Sequence, residues 1–166
     1  MEATERLALP LIVPGQAQKE LFHNEALQLL DAAVAGAVEE ESRNDPPQSP
    51  VAGACYLVGD MPTGEWSLHA DHLAAFSGAG WRFVTPVVGL KVVVKTSGAT
   101  ATYMPEGWEV GIVRASQLQI EGEQVVGAQA AAVADPQGGN VIDSEVRIAL
   151  AGILSAMRQH GLIASE

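Results

Sequence analysis

Leu73-Ala74-Ala75-Phe76-Ser77-Gly78-Ala79-Gly80-Trp81-Arg82-Phe83-Val84-Thr85 decides the fold class. Two short apolar and aromatic runs are split by Ser-Gly-Ala-Gly, which reads as two antiparallel strands joined by a hairpin turn. The strand that follows Gly78-Ala79-Gly80 also excludes a phosphate-binding loop, since such a loop opens a helix. The same grammar runs outward on both sides. Strands are predicted at 54–58, 65–68, 73–77, 81–85, 90–95, 100–104 and 108–113, with Ser97-Gly98 as a second hairpin turn. Within 90–95, Leu90, Val92 and Val94 face one way and Lys91, Val93 and Lys95 the other. Trp66, Trp81 and Trp108 each follow a glycine by one or two positions, so each is expected to open a returning strand. Their uneven spacing rules out a solenoid or propeller.

Helical periodicity takes over beyond this β-unit. Leu27, Leu30, Val34 and Val38 recur at steps of three and four, predicting an amphipathic helix with Asn24 as N-cap, Glu25 in its first turn, and a preceding turn over 16–23. Glu39-Glu40-Glu41 and Asn44-Asp45-Pro46-Pro47 stop it. Before it, residues 7–14 are apolar and bounded by two prolines, which predicts an extended arm lying on its own domain or a neighbour. Near the other end, Asp143 or Ser144 caps a last helix. Its apolar positions Val146, Leu150, Ile153 and Met157 step by four, three and four, and Gly161 follows as a C′ residue.

The expected class is α+β. An N-terminal arm and amphipathic helix occupies 1–45, a small antiparallel β domain of about six or seven short strands 46–120, a linker 121–141, and a C-terminal helix 142–166. The 166 residues, 17.3 kDa, leave room for one domain and an appended helix. A compact chain of this size buries roughly 70% of its unfolded surface without staples. Hydrophobic residues reach 48% against 17% charged, at a mean hydropathy of +0.15. That excludes a disordered chain and predicts apolar surface covered between subunits. Leu9, Leu11 and Ile12 of the arm, with Val146, Leu150, Ile153 and Met157, are the candidate interface residues.

Twenty acidic residues against nine basic ones give a formal charge of −11. Phosphate backbones and anionic membranes are therefore unfavourable partners, and nucleic acid and membrane insertion are not expected. No apolar run reaches membrane-span length, and Met1-Glu2-Ala3-Thr4-Glu5-Arg6 lacks a basic secretory start. Synthesis in a cytoplasm is expected. Cys55 is the single cysteine, which excludes an internal disulfide and predicts a buried, inert thiol.

Catalytic signatures are missing. His69-Ala70-Asp71-His72 gathers three potential ligands, but further ligands with supporting hydrogen bonds do not stand out, so it reads as a polar loop. No metal, cofactor or catalytic residue is expected. A glycosidase needs only two facing carboxylates, and twenty acidic residues make many pairs possible and none identifiable. The tryptophans carry two competing readings, core residues of a small sheet or platforms stacking on sugar rings. Trp81, near Phe76 and Phe83, reads as core. Trp66 and Trp108, each beside a glutamate, are the carbohydrate-binding candidates.

One block goes further. Pro14-Gly15-Gln16-Ala17-Gln18-Lys19-Glu20, with His23-Asn24-Glu25-Ala26-Leu27 and Leu30-Asp31, resembles a domain of formally unknown function. That domain is found in tail-fibre and spike-type proteins of bacteriophages, prophages and gene transfer agents of alphaproteobacteria. The similarity runs on through Pro46-Pro47, Ser49-Pro50, Gly53, Tyr56-Leu57-Val58, Gly64-x-Trp66, Trp81-x-Phe83 and Pro86-x-x-Gly89, covering about residues 7–110. The ending, with Asp143, Glu145, Arg147, Leu154 and residues 158–163, also looks like tails of such proteins. Lys91 and Val92-Val93-Val94 depart from it, standing where an aromatic is commoner.

The resemblance implies a structural virion component of a tail fibre, spike or baseplate, non-enzymatic, serving particle attachment or host-surface recognition. It implies a homotrimer made in the bacterial cytoplasm, with other virion proteins as partners; a host surface glycan is the further partner that Trp66 and Trp108 would serve. In that picture the arm docks onto the particle, and Gln16, Gln18 and Asn24 cap helices and fix the arm. A carbohydrate-binding module and a small polysaccharide hydrolase are the alternatives.

Overall fold

A computed structural model describes residues 2–12, 19–139, 141 and 143–165, with Lys19 described in its backbone only. The fold is α+β. It divides into two units, Met1–Ile112 and Val113–Glu166. The second proline of the arm, Pro14, and Gln16 and Gln18 lie outside the described residues.

In the first unit the opening hairpin forms as its sequence dictates. Strand β2 (Cys55–Leu57), β3 (Leu73–Ser77) and β4 (Gly80–Val84) make a three-stranded antiparallel sheet, with Phe76 opposite Trp81 and Ser77 opposite Gly80. The turn is held by Ser77, whose Oγ accepts from the Ala79 amide (3.2 Å) and donates to the Gly80 carbonyl (3.0 Å). A second sheet runs in the order β1 (Ala37–Val38), β5 (Lys91–Val94), β6 (Thr100–Met104), β7 (Gly107–Val110), with β1 parallel to β5 and the other pairs antiparallel. The two sheets are stitched where the Glu39 amide donates to the Cys55 carbonyl (2.9 Å) and the Arg43 amide to the Leu57 carbonyl (3.0 Å).

The apolar run 54–58 is continuous because both of its faces are buried. Cys55 and Leu57 point into a core with Ala32, Val38, Leu73, Val92, Val94 and Ala101. Ala54, Tyr56 and Val58 point into a second core with Trp66 and Ala74, against which Trp81 and Phe83 pack. The alternation expected in β5 holds, with Val92 and Val94 buried and Lys91 and Val93 exposed.

Three local expectations are corrected. Residues 65–68 are not a strand: Gly64–Trp66 form a 3-10 turn that buries Trp66. Positive φ at Gly64 (+56°) and Leu68 (+79°) takes the backbone out of the extended region. Asn24 is not an N-cap, because helix α1 runs Lys19–Val34 and places it in the interior. Val38 does not continue the helical stripe. Gly36 turns the chain at φ +39°, and Ala37–Val38 proceed as β1. Of the helical stripe, Leu27 is half-buried while Leu30 and Val34 are exposed, as are Leu21 and Phe22 (75%); Asp31 and Ala32 are buried. Helix α1 packs across β3 and β4, and Glu25 pairs with Arg82 of β4 at 2.7 Å.

Gly36 carries the first prediction. Its φ lies in the left-handed region, and a Cβ there would stand 3.3 Å from the Lys91 carbonyl oxygen. Gly36→Ala is expected to destabilise the unit by about 1–2 kcal/mol, the cost of left-handed backbone for an L-residue. Urea denaturation checks this; an unshifted midpoint would count against the turn.

In the second unit, β8 (Leu118–Ile120) and β9 (Glu123–Val126) form a hairpin across Glu121-Gly122, both at positive φ as a type I′ turn requires. The segment read as a linker from residue 121 therefore opens as paired strand. Helix α2 (Ser144–Gln159) is capped by Asp143, whose carboxylate accepts from the Val146 amide (3.0 Å). It ends in a Schellman motif, with the Leu162 amide on the Met157 carbonyl, the Gly161 amide on the Arg158 carbonyl, and Gly161 at φ +70°. Beyond it, Ala130 bridges to Ile163 in parallel. Among the described residues of this unit only Leu154 and Ile163 are buried. No helix among the described residues is long and apolar enough to cross a membrane.

Candidate functional site

The arm owes its position to two side chains of α1. Residues 2–11 double back on themselves, with the Thr4 amide on the Leu9 carbonyl (3.0 Å), the Leu11 amide on the Glu2 carbonyl (2.9 Å) and the Leu9 amide on Thr4 Oγ1 (3.0 Å). The carboxylate of Asp31, itself buried, accepts from the successive amides of Arg6 (2.9 Å) and Leu7 (2.6 Å). The Asn24 carboxamide accepts from the Ile12 amide (2.9 Å) and donates to the Ile12 carbonyl (3.1 Å), as a neighbouring strand would. Asn24 thus fixes the arm, the role its resemblance block implied, from inside the helix. Leu9 and Leu11 are half-buried here and Ile12 is exposed.

Docking the arm builds one wall of a cleft of about 580 Å³. Its charged lining is Glu5, Arg6, Glu39, Glu40, Arg43 and Lys95, grouped around Tyr56. Lys95 pairs with Glu39 at 2.6 Å and Arg43 with Glu40 at 2.7 Å. The Arg43 guanidinium also lies 5.9 Å from the centre of the Tyr56 ring. Arg6 reaches inward, donating to Cys55 Sγ (2.6 Å) and the Ala35 carbonyl (3.3 Å).

Cys55 beneath the cleft fits the inert reading. Burial pushes its thiol above the ordinary value of 9.0, outweighing the Arg6 guanidinium that favours the thiolate. Reaction with a disulfide reagent at neutral pH is expected to be on the order of 10²-fold slower in the native chain than in urea, since it awaits local opening. A rate equal to that of the unfolded chain would refute this placement.

The histidine run is a chain of turns around an aromatic contact. His69 lies flat on Phe83 at 3.6 Å between ring centres, with His72 edge-on at 5.2 Å. His72 Nδ1 lies 2.8 Å from the Ala70 carbonyl oxygen, and its Nε2 lies 3.2 Å from Thr85 Oγ1. Burial, helped by His72, lowers the His69 pKa. Among the described residues no three His, Cys, Asp or Glu side chains gather as a metal site.

Of the two carbohydrate candidates, Trp66 stands differently from its expectation. Trp66 is 0% exposed, so it has no face to offer a sugar. Its ring meets Tyr56 at 5.8 Å and Trp81 edge-on at 5.0 Å. Trp108 is half-buried against the first core, contacts Tyr103 edge-on at 5.3 Å, and donates its Nε1–H to the Asp71 carbonyl (2.7 Å). Trp81, expected in the core, is half-buried against the second.

On α2 the four candidate interface residues stay largely outside the unit's own packing. Val146, Leu150 and Ile153 are 59%, 40% and 57% exposed, and Met157 is half-buried. The helix is held to its unit from another side, by Leu154 and by Arg158, which pairs with Asp135 at 3.1 Å and bonds the Val133 carbonyl.

No curated protein matches the chain. A family model described as a protein of unknown function (DUF2793) matches residues 23–109. That span runs from within α1 into β7 and takes in both sheets. It covers more than half of the sequence, and on that match the chain belongs to the DUF2793 family.

Proposed function

We propose that this chain is a structural virion component of a phage or phage-like particle, at a tail fibre, spike or baseplate, non-enzymatic, and built into the particle as a homotrimer. Attachment or recognition of the host surface is the role such a subunit serves. The observation that carries the reading is the state of the second unit. Among the described residues of 113–166 the buried side chains are Leu154 and Ile163, too few to make a core, while Val113, Val141, Ile148 and Ile153 face outward. Such a small unit needs a staple or a partner to persist, and an isolated two-stranded hairpin such as β8–β9 is marginal in water. Neighbouring subunits supply the missing cover. The exposed Phe22, Leu30 and Val34 on α1 extend the same deficit to the first unit.

The resemblance of residues 14–31 to fibre and spike domains supports a particle as the assembly. The test is mass spectrometry of gradient-purified particles released from the host bacterium. Peptides of this chain should co-purify at a constant ratio to the major tail proteins. Their confinement to the soluble lysate would sink the reading.

A further inference from the structure

We infer that the cleft around Tyr56 binds a neutral polyhydroxylated ligand, a pyranose sugar or a short saccharide. The inference rests on the recognition role proposed above and gives that role a site and a ligand class. It uses neither Trp66, whose ring is buried, nor Trp108. The cleft's polar groups come from the arm (Glu5, Arg6), the segment after β1 (Glu39, Glu40, Arg43), β2 (Tyr56) and the residue after β5 (Lys95).

Charge selects the ligand class. Three of the chain's nine basic residues stand here, matched by three glutamates, so the cleft is neutral in a chain of charge −11. An anion would face the glutamates and the field of the whole chain, and a cation would face Arg43 and Lys95. An apolar ligand would strip water from charged side chains without replacing its hydrogen bonds. Hydroxyl groups fit. The pairs Glu39–Lys95 (2.6 Å) and Glu40–Arg43 (2.7 Å) each set an acceptor beside a donor. Two neighbouring hydroxyls, one donating to the carboxylate and one accepting from the cation, satisfy both halves and leave the pair whole. The four side chains keep 34–49% of their surface exposed, so a ligand can reach them.

Tyr56 adds a further polar point. Its ring is held between Trp66 (5.8 Å) and Trp81 (6.0 Å) and is only 9% exposed, while its hydroxyl has no hydrogen-bond partner among the described residues. Burial and then Glu39 raise the phenol's pKa above its ordinary 10.0 against the pull of Arg43, so at neutral pH its proton is available to a ligand oxygen. Val51, Ala52 and Ala54 line the rest of the wall and offer contact to the C–H faces of a sugar ring. At about 580 Å³ the cleft lies within the roughly 300–1,000 Å³ of small-molecule sites. Such sites are mostly apolar, and a lining of ion pairs suits a ligand whose edges are hydroxyls.

The experiment is saturation-transfer NMR on the full chain. The probes are the methyl glycosides of glucose, galactose, mannose and N-acetylglucosamine, with glucuronate and glucosamine as charged counterparts. At least one neutral glycoside should bind with a Kd in the millimolar range or tighter, and more tightly than either charged sugar. Tyr56→Phe keeps the ring, removes only the hydroxyl, and should raise that Kd about two- to tenfold. Lys95→Met removes a charged donor and should raise it about tenfold or more. Lys91→Met, the same charge change at an exposed site of β5 outside the cleft, should leave it unchanged. Binding of no neutral probe, tighter binding of a charged one, or equal effects of the two lysine variants would each overturn the site. Sugar binding by a chain absent from particles would defeat the virion reading alone, and a particle-borne chain that binds no probe would defeat this inference alone.

Discussion

Trp66→Ala is expected to cost about 3–5 kcal/mol, the range for truncating a buried tryptophan. Natural domains hold only about 5–15 kcal/mol in total, so the melting temperature of the first unit should fall by about 15–25 °C. The reason lies in what the indole supports. It fills the second core beneath Tyr56, Val58 and Ala74, and Trp81 packs edge-on against it. Removing it leaves a cavity next to β2, the strand both cores share. The Nε1 atom sharpens the test, because it is buried with no hydrogen-bond partner. A buried donor without a partner costs free energy. Trp66→Phe keeps most of the ring, removes that donor, and should lose no more than about half as much. Calorimetry of the two variants checks both figures. Trp66→Ala with wild-type stability would show the side chain to be peripheral, as a sugar platform would be.

The sheet was legible for a local reason. Alternation and turn chemistry sit within a dozen residues of each other, so 73–85 announces its hairpin without knowledge of the rest. The same holds for the α2 cap at Asp143 and the stop at Gly161. What escaped was set by distant contacts. Gly64-x-Trp66 reads alike whether the turn leads into a strand or curls to seat an indole, and the second core selects the curl. Asn24 carries the signature of a cap, yet its partner is Ile12 in the arm. On α1 the apolar spacing announces a helix without saying which residues it buries, and the helix packs over β3 and β4 with Asp31 and Ala32 buried. The β8–β9 hairpin left a readable signal in Glu121-Gly122 between apolar pairs, masked by the glycine and alanine richness that follows. As for the site, the resemblance block contained both arm-holding residues, but no spacing rule says that Asp31 meets Arg6 and Leu7.

Asp31→Ala should release the arm. The carboxylate takes two successive backbone amides, a charge-assisted arrangement in which each bond is worth about 1.5–3 kcal/mol. Alanine leaves both amides without their acceptor, but the arm lies near the surface, so water recovers part of the loss as the segment lifts. The net cost is therefore about 2–4 kcal/mol, and it appears first as local opening rather than global unfolding. In hydrogen exchange the amides of residues 4–12 should lose protection while β2, β3 and β6 keep theirs. Asp31→Asn retains one acceptor oxygen and should fall between alanine and wild type. The cleft gives a second readout, because Glu5 and Arg6 leave with the arm and Arg6 no longer covers Cys55. The thiol should then react faster with a disulfide reagent in Asp31→Ala than in the wild type. Unchanged exchange over residues 4–12 would mean that the arm is held by its own hairpin bonds and by Asn24, with Asp31 contributing little.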